Sequence, residues 1–134
     1  MKIGFDLDGT LDRPAIRDLA LALIKGGHEV HIITGVFVEA KEWQDEAAKK
    51  EKLTRLGIPY QMPDAMCQVE GTAVLHVLDA VASTFARDYR LIDLGLRKGA
   101  LCEKLGITMF FDDSETYVEM IPKMSGGTTV LQVK

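Results

Sequence analysis

The stretch FDLDGTLD, residues 5–12, carries three aspartates, of which Asp6 and Asp8 come directly after a short apolar run. This run predicts a buried strand over residues 2–7 that ends in carboxylates. In open parallel sheets, ligands bind beyond the carboxyl ends of the strands, which is where these two aspartates fall. Because Gly-Thr follows at once, the stretch predicts an α/β fold that holds a cation, a phosphate group or both at its strand ends.

Strand-like and helix-like patterns alternate along the rest of the chain. Apolar, β-branched runs predict strands, and runs with helical spacing that end at glycine predict helices. This alternation predicts a mostly parallel central sheet covered by helices on both faces. The expected strands are 2–7, 30–34, 59–62, 74–78, 107–111 and 128–133. The first expected helix begins at Pro14, with Asp12 as its cap, and ends at Gly26. The other expected helices are 39–56, 80–91, 98–105 and 114–123, the last of them capped by Ser114 or Asp113.

Length and composition indicate one domain. The chain has 134 residues, of which 47% are hydrophobic and 27% charged, as is ordinary for a globular protein. We therefore expect a single domain over residues 1–134, with room for only a small insertion within 58–78. The net charge of −4 gives no general attraction to nucleic acid or to acidic membranes.

The sequence carries no pattern typical of membrane or secreted proteins. No apolar run approaches the roughly 18 residues of a membrane helix, and Asp6 interrupts the short apolar run at the start. Cys67 and Cys102 lack metal-type spacing, so two reduced thiols are expected, with one disulfide as the open alternative. We therefore expect a cytoplasmic protein without membrane association.

Four carboxylates are expected to converge at one edge of the sheet. The first strand delivers Asp6 and Asp8, and the strand over 107–111 ends at Asp112 and Asp113. Such a group repels itself strongly unless it holds a cation, and oxygen-only ligands favour Mg²⁺. Taken alone, a paired aspartate is more often a helix cap than a ligand, so it is the combination that indicates a site.

The ordered set of motifs resembles the signatures of the haloacid dehalogenase superfamily of phosphatases. DLDGT resembles the first motif, DxDGT, and Thr34 in IITG resembles the second. Lys98 resembles the third, a lysine near the start of the helix before the last acidic strand, and FFDD, residues 110–113, resembles the fourth. The resemblance runs from residue 2 to about residue 120. It implies a Rossmann-like three-layer sandwich, and the short segment 9–14 leaves no room for a large cap domain.

The resemblance implies a Mg²⁺-dependent phosphomonoester hydrolase. Asp6 would be the nucleophile that forms an aspartyl-phosphate, and Asp8 would act first as general acid and then as general base. Thr34 would hydrogen-bond a phosphate oxygen, and Lys98 would hold the nucleophile and the phosphate through its positive charge. These four residues form the expected catalytic set.

The resemblance also implies a set of binding residues. Gly9 would let the backbone turn under the phosphate, and Gly35 would offer its N–H group. Asp112 would complete the Mg²⁺ shell together with one Asp6 oxygen and the Asp8 carbonyl, and Asp113 would be an additional metal-shell or orienting carboxylate. The expected metal ligands are Asp6, Asp8, Asp112 and Asp113, and the expected substrate-binding residues are Gly9, Thr34, Gly35 and Lys98.

Two alternative functions stay open at this point. One is a nucleotidase or polynucleotide-end phosphatase, for which Arg87, Arg90 and Arg97 would form a basic patch instead of a solvated helix face. The other, from a different class, is a non-catalytic phosphate- or metal-binding regulatory module. The expected partner is a phosphorylated small molecule or a nucleotide, with a nucleic-acid end less supported and a homo-oligomer left open. Phe37 either lines the site entrance or packs under the next helix.

Overall fold

Six parallel strands form one sheet at the centre of the computed structural model, which describes residues 1–37, 45–80 and 85–134. The strands are β1 (Lys2–Phe5), β2 (Glu29–Val36), β3 (Tyr60–Gln61), β4 (Ala73–Asp79), β5 (Met109–Asp112) and β6 (Thr129–Gln132). Their order across the sheet is β3-β4-β2-β1-β5-β6, and every strand pair within the described ranges is parallel. All six predicted strands are therefore confirmed, with shifts of a few residues at their ends.

Helices lie on both faces of this sheet. They are α1 (Pro14–Lys25), α2 (Glu46–Arg55), α3 (Arg87–Leu105) and α4 (Glu115–Met124). The core on one face contains Ala20 of α1 and Leu53 of α2, and the core on the other face contains Phe110 with Cys102 of α3 and Ile121 of α4. The predicted Rossmann-like three-layer α/β fold is confirmed. Across the described ranges, none of the helices has the length and apolar character needed to cross a membrane.

The strand order brings the predicted motifs together. After β1 the chain adds β2, β3 and β4 on one side, with β4 between β2 and β3, and then crosses through α3 to add β5 and β6 on the other side. Strand order thus reverses beside β1, and ligands of open α/β sheets bind at such a reversal, outside the carboxyl ends of the strands. The ends of β1, β2 and β5, which carry the predicted site residues, are therefore neighbours.

α3 is a single continuous helix of 19 residues, where the sequence predicted two separate helices over 80–91 and 98–105. The predicted interruption is wrong, and residues 81–84 of the first helix lie outside the described ranges. Gly95 lies within this helix and packs against α4, where an added Cβ would lie 2.8 Å from a side-chain carbon. Lys98 consequently projects from within a long helix and not from near a helix start.

The start of α1 also differs from its prediction. Arg13 is the N-cap residue, and its side chain makes no capping hydrogen bond. The Asp12 carboxylate instead accepts a hydrogen bond from the N–H of Gly9 at 2.8 Å, because Gly9 turns the backbone back with a φ of 80°. The predicted Asp12 cap is wrong, whereas Pro14 in the first turn and Gly26 at the end are confirmed.

α2 occupies the second half of the helix predicted over 39–56, and residues 39–44 of that prediction lie outside the described ranges. The Asp45 carboxylate caps α2 by accepting a backbone N–H bond at 2.8 Å. Ser114 caps α4 by the same kind of bond, at 3.3 Å, as one of the two predicted caps. Each cap satisfies a backbone donor that the first helical turn leaves without a partner.

Candidate functional site

The loop Leu7–Leu11 connects β1 to the segment before α1 and passes close to the end of β5. Gly9 lies in this loop with a positive φ, and a Cβ added there would collide with the Asp113 carboxylate. The Arg13 guanidinium donates to the Gly9 carbonyl at 2.8 Å and fixes the turn from its other side. Glycine is therefore required by both backbone conformation and space, which agrees with the backbone turn predicted at this position.

A buried ion-pair group lies at the centre of the site. Lys98 Nζ donates to Asp6 Oδ1 at 2.9 Å and to Asp112 Oδ2 at 3.3 Å. The Lys98 side chain is fully buried, and its ammonium group also lies 4.2 Å from the ring centroid of Tyr117. Asp6 follows β1 and its N–H donates to the Phe111 carbonyl at 2.9 Å, so the backbone pairing of β1 with β5 fixes where the carboxylate stands.

Burial shifts the pKa values of this group. It raises the pKa of Asp6 to about 7, against the opposing effect of Lys98, and it also raises the pKa of Asp112. For Lys98, burial acts to lower the pKa, but the two neighbouring carboxylates outweigh burial and raise it above its ordinary value. Lys98 therefore remains charged at neutral pH.

Asp113 joins this group through Thr10. The Thr10 hydroxyl lies 3.3 Å from Asp6 Oδ2 and 3.4 Å from Asp113 Oδ1. Asp6, Asp112 and Asp113 each present an oxygen, and these three atoms lie within 4.8 Å of one another. The structure thus brings together three of the four predicted metal ligands in an arrangement that a single small cation can span.

The side chain of Asp8, the predicted general acid whose carbonyl was the fourth predicted ligand, is turned toward α2. Its Oδ2 accepts from Lys49 and its Oδ1 accepts from Lys52 at 2.8 Å. Lys52 also pairs with Asp12 at 2.6 Å. Although partial burial acts to raise the pKa of Asp8, the hydrogen bonds from the two lysines outweigh it and lower the pKa below its ordinary value. Both oxygens of this carboxylate are therefore engaged by α2.

The two α2 lysines are functional candidates that sequence reasoning missed. Lys49 is almost fully buried and Lys52 is largely buried, whereas a Lys- and Glu-rich helix is normally read as a solvated surface. The two lysines are three residues apart and therefore lie on the same face of α2. This spacing is the one signal in the sequence that points to a shared role. Nothing in the sequence indicates that Asp8 is their partner.

A cavity of about 170 Å³ opens beside these groups. Thr34 and Gly35 of β2, which the sequence predicted as substrate-binding residues, line this cavity, and so does Phe37. β2 continues through Gly35 to Val36, and a Cβ on Gly35 would collide with Leu94 of α3, so glycine lets that helix lie close to the strand. The complete lining is Asp6, Asp8, Thr34, Gly35, Phe37, Lys49, Lys98, Asp113 and Tyr117.

The arginines considered as a basic patch have separate partners. Arg97 Nε donates to Asp93 at 3.0 Å, and its guanidinium also donates to the Asp79 carbonyl. The Arg90 guanidinium lies over the Phe37 ring, 5.4 Å from its centroid. These contacts engage the partly exposed side chains of Arg97 and Arg90 with other groups of the protein itself.

Comparison with known proteins gives similarity at the level of structure. No family model matches the sequence, and no curated protein matches it. Among solved structures, the chain aligns with a protein from the universal stress protein family from Burkholderia pseudomallei, at 12% identity and a TM-score of 0.45. The alignment covers 98% of this chain and 94% of that one.

These comparisons correct the family predicted from the sequence. The solved structure described above, which aligns over nearly the whole chain, is a universal stress protein, and no family model or curated protein matches the sequence. Membership of the haloacid dehalogenase superfamily is therefore not retained. The phosphatase activity and the enzyme class inferred from it, including the nucleotidase alternative, are withdrawn with it.

Proposed function

We propose that this chain is a non-catalytic module that binds a divalent cation, Mg²⁺ by its ligand chemistry, together with a phosphate group at the carboxyl edge of the sheet. This is the alternative of a different class that the sequence left open. The observation that carries it is the convergence of Asp6, Asp112 and Asp113, whose oxygens lie within 4.8 Å of one another.

The charge of this group supports a divalent cation. Lys98 pairs with Asp6 and Asp112 and supplies one positive charge to three carboxylates. Within the described part of the chain, ionisation of all three carboxylates leaves an excess of negative charge in a largely buried place, which is unfavourable without a further cation. Carboxylate oxygens are hard ligands, and Mg²⁺ is commonly held by one or two of them together with phosphate oxygens and water.

The cavity beside the carboxylates supports the phosphate. The Thr34 side chain offers a hydroxyl at the end of β2, and the ammonium groups of Lys49 and Lys98 belong to the same lining. A volume of about 170 Å³ accommodates a phosphate group but not a large ligand in full. The partner would therefore be a phosphorylated small molecule or nucleotide whose remaining part stays outside the cavity.

The contacts of Asp8 support binding without turnover. Proton transfer to a leaving group requires a side chain that can reach that group and carry a proton. Both Asp8 oxygens are held by lysines, and both lysines extend from the neighbouring helix α2. This arrangement keeps Asp8 as a fixed anion that ties α2 to the loop Leu7–Leu11.

Titration calorimetry with Mg²⁺ and inorganic phosphate tests the binding proposal. The wild-type chain should bind Mg²⁺ more tightly when phosphate is present. Asp112→Asn should lower the affinity for Mg²⁺ by about tenfold or more, because the charge of one ligand is lost. Asp64→Asn, which removes the same charge from an exposed loop residue, is the matched control and should leave binding unchanged. Equal Mg²⁺ affinity in wild type and Asp112→Asn would contradict the proposal.

A turnover assay tests the non-catalytic part separately. With an aryl phosphate and excess Mg²⁺, the wild-type chain should release no more than one equivalent of product. Sustained release that disappears in Asp6→Asn would show catalysis at this site and would overturn the proposal, whatever the calorimetry gives.

A further inference from the structure

A second group of titratable side chains spans β2 and β4, outside the acidic site. His31 Nε2 lies 2.6 Å from Glu29 Oε2, and His31 Nδ1 lies 2.9 Å from Nε2 of His76. Both histidines are buried: the exposed fraction is 4% for His31 and 9% for His76. None of these three residues takes part in the function proposed above.

The two rings border a cavity of about 800 Å³ at the opposite end of the sheet from the acidic site. β2 begins at Glu29, so His31 stands near the start of its strand. The outer wall belongs to the loop 62–72, which is held by reciprocal hydrogen bonds between the Gln61 side chain and the Val69 backbone at 3.1 and 3.2 Å. A solvent-borne ligand can therefore approach the histidines without passing the acidic site.

Glu29 determines which nitrogen of His31 is available. A carboxylate only accepts hydrogen bonds, so His31 Nε2 carries the proton and Nδ1 presents its lone pair toward His76. A metal-binding histidine is typically held in this way, with its second ring nitrogen donating to a carboxylate. Among the described residues, Nδ1 of His76 has no hydrogen-bond partner, so this ring can carry its proton there and free Nε2.

The spacing of the two facing nitrogens suits a transition metal. Two nitrogens bound to one tetrahedral Zn²⁺ ion are separated by about 3.3 Å, since each Zn–N bond is about 2.0–2.1 Å. The observed separation of 2.9 Å reaches this value through small rotations of two side chains. The remaining coordination positions would face the cavity, where water or a ligand can occupy them.

We propose that His31 Nδ1 and His76 Nε2 form a binding site for a transition-metal ion such as Zn²⁺, with Glu29 as the residue that positions His31. The ion takes the place of the proton that lies between His31 Nδ1 and His76 Nε2. His76 then carries its ring proton on Nδ1. Imidazole ligands favour Zn²⁺, Cu²⁺ and Ni²⁺, whereas the acidic site offers only oxygen. The two sites therefore differ in the ion that they select.

Titration with Zn²⁺ in excess Mg²⁺ tests this site with a matched set of variants. His31→Gln and His76→Gln should each weaken Zn²⁺ binding by about tenfold or more, and Glu29→Gln should weaken it by about 10–100-fold, as loss of such a carboxylate typically does. His28→Gln is the control, because His28 lines the same cavity outside the chain of hydrogen bonds, and it should retain wild-type affinity. Unchanged Zn²⁺ binding in both histidine variants would overturn the proposal.

A measurement on the wild-type chain covers the case in which a variant fails to fold. With ¹⁵N-labelled histidine, Zn²⁺ should shift the ring-nitrogen resonances of two of the three histidines and leave the third in place. The same titration with Asp112→Asn should give the same shifts, since the acidic site is not involved. A Zn²⁺ response from His28 alone, or from no histidine, would contradict the assignment.

Discussion

Lys98 is the residue on which the acidic site depends most strongly. Its ammonium group is fully buried and is the hydrogen-bond partner of both Asp6 and Asp112. Removing one partner of a buried ion pair leaves an uncompensated charge, which is far less favourable than replacing the whole group by apolar side chains. The Lys98 side chain therefore affects both the stability of the fold and the charge of the proposed binding site.

We expect Lys98→Met to lower the free energy of unfolding by about 3–5 kcal/mol at neutral pH, because two carboxylates lose their buried counter-charge. Urea unfolding without divalent cations measures the change. Lys104→Met removes an exposed lysine from the same helix and should change stability by less than about 0.5 kcal/mol. A loss below about 1 kcal/mol for Lys98→Met would show that the carboxylates are solvated, contrary to the structure.

The two thiols should differ sharply in reactivity. Cys67 is exposed and Cys102 is buried, and burial raises the pKa of Cys102 to about 12. Only the thiolate attacks a disulfide reagent, so one thiol should react quickly in the native protein at pH 8 and the second only on unfolding. Cys67→Ser should abolish the rapid phase. Rapid reaction of both thiols in the native protein, or of neither, would contradict this assignment.

At the scale of elements, α3 and α4 are packed closely enough to require glycine. A Cβ added at Gly99 would lie 2.5 Å from the Ile121 carbonyl oxygen and 3.0 Å from Met124 Cβ. These contacts involve backbone, which cannot move aside as the end of a flexible side chain can. The two helices therefore keep their separation only while this position has no side chain.

Gly99→Ala should destabilise the protein by about 1–3 kcal/mol, because the overpacking outweighs the better helix propensity of alanine. Gly126→Ala is the control, since an added Cβ there meets nothing within 4 Å. The control should be neutral or slightly stabilising. Unfolding midpoints in urea compare the two variants, and equal midpoints would mean that the helices separate easily.

Asp8 links α2 to the loop Leu7–Leu11, and this link should depend on pH. Its pKa is lower in the folded than in the unfolded chain, so its contribution is present above the ordinary aspartate pKa and is lost as pH falls through the lowered value. We expect Asp8→Asn to destabilise by about 1–2 kcal/mol at pH 7, less than for a fully buried pair because Asp8 is half exposed.

Repeating the unfolding of Asp8→Asn near pH 3 should give a smaller difference from wild type, in EDTA to exclude metal effects. Asp64→Asn, which alters an exposed residue, should give the same small change at both pH values. A difference for Asp8→Asn that grows toward low pH would have the wrong sign and would contradict the ion pairs with Lys49 and Lys52.

The sequence predicted the elements well because strand runs and glycine stops are local signals. It predicted that Asp6, Asp112 and Asp113 would meet, since parallel strands deliver their carboxyl ends to one edge. It did not predict the partners of Asp8 or the continuity of α3. Both depend on tertiary contacts, namely the face of α2 that meets the loop and the approach of α4 to Gly95, which no local pattern records.

At the scale of the whole molecule, binding at the acidic site should stabilise the fold. A ligand that binds only the native state adds RT ln(1 + [L]/Kd) to the free energy of unfolding, or about 2.7 kcal/mol at a hundred times Kd. Mg²⁺ with phosphate should therefore raise the unfolding midpoint of the wild type more than that of Asp112→Asn. An equal rise in both would place the stabilising ligand elsewhere on the molecule.

The central position of β1 also affects how the chain acquires its structure during synthesis. Asp6 and Lys98 are separated by 92 residues, so at about 5–20 residues per second the ribosome releases the aspartate several seconds before its counter-charge. Throughout this interval the first strand lacks β5, its partner on one side. A nascent chain shorter than about 112 residues therefore cannot complete the sheet around β1, and this strand gains its second neighbour only after β5 has been synthesised.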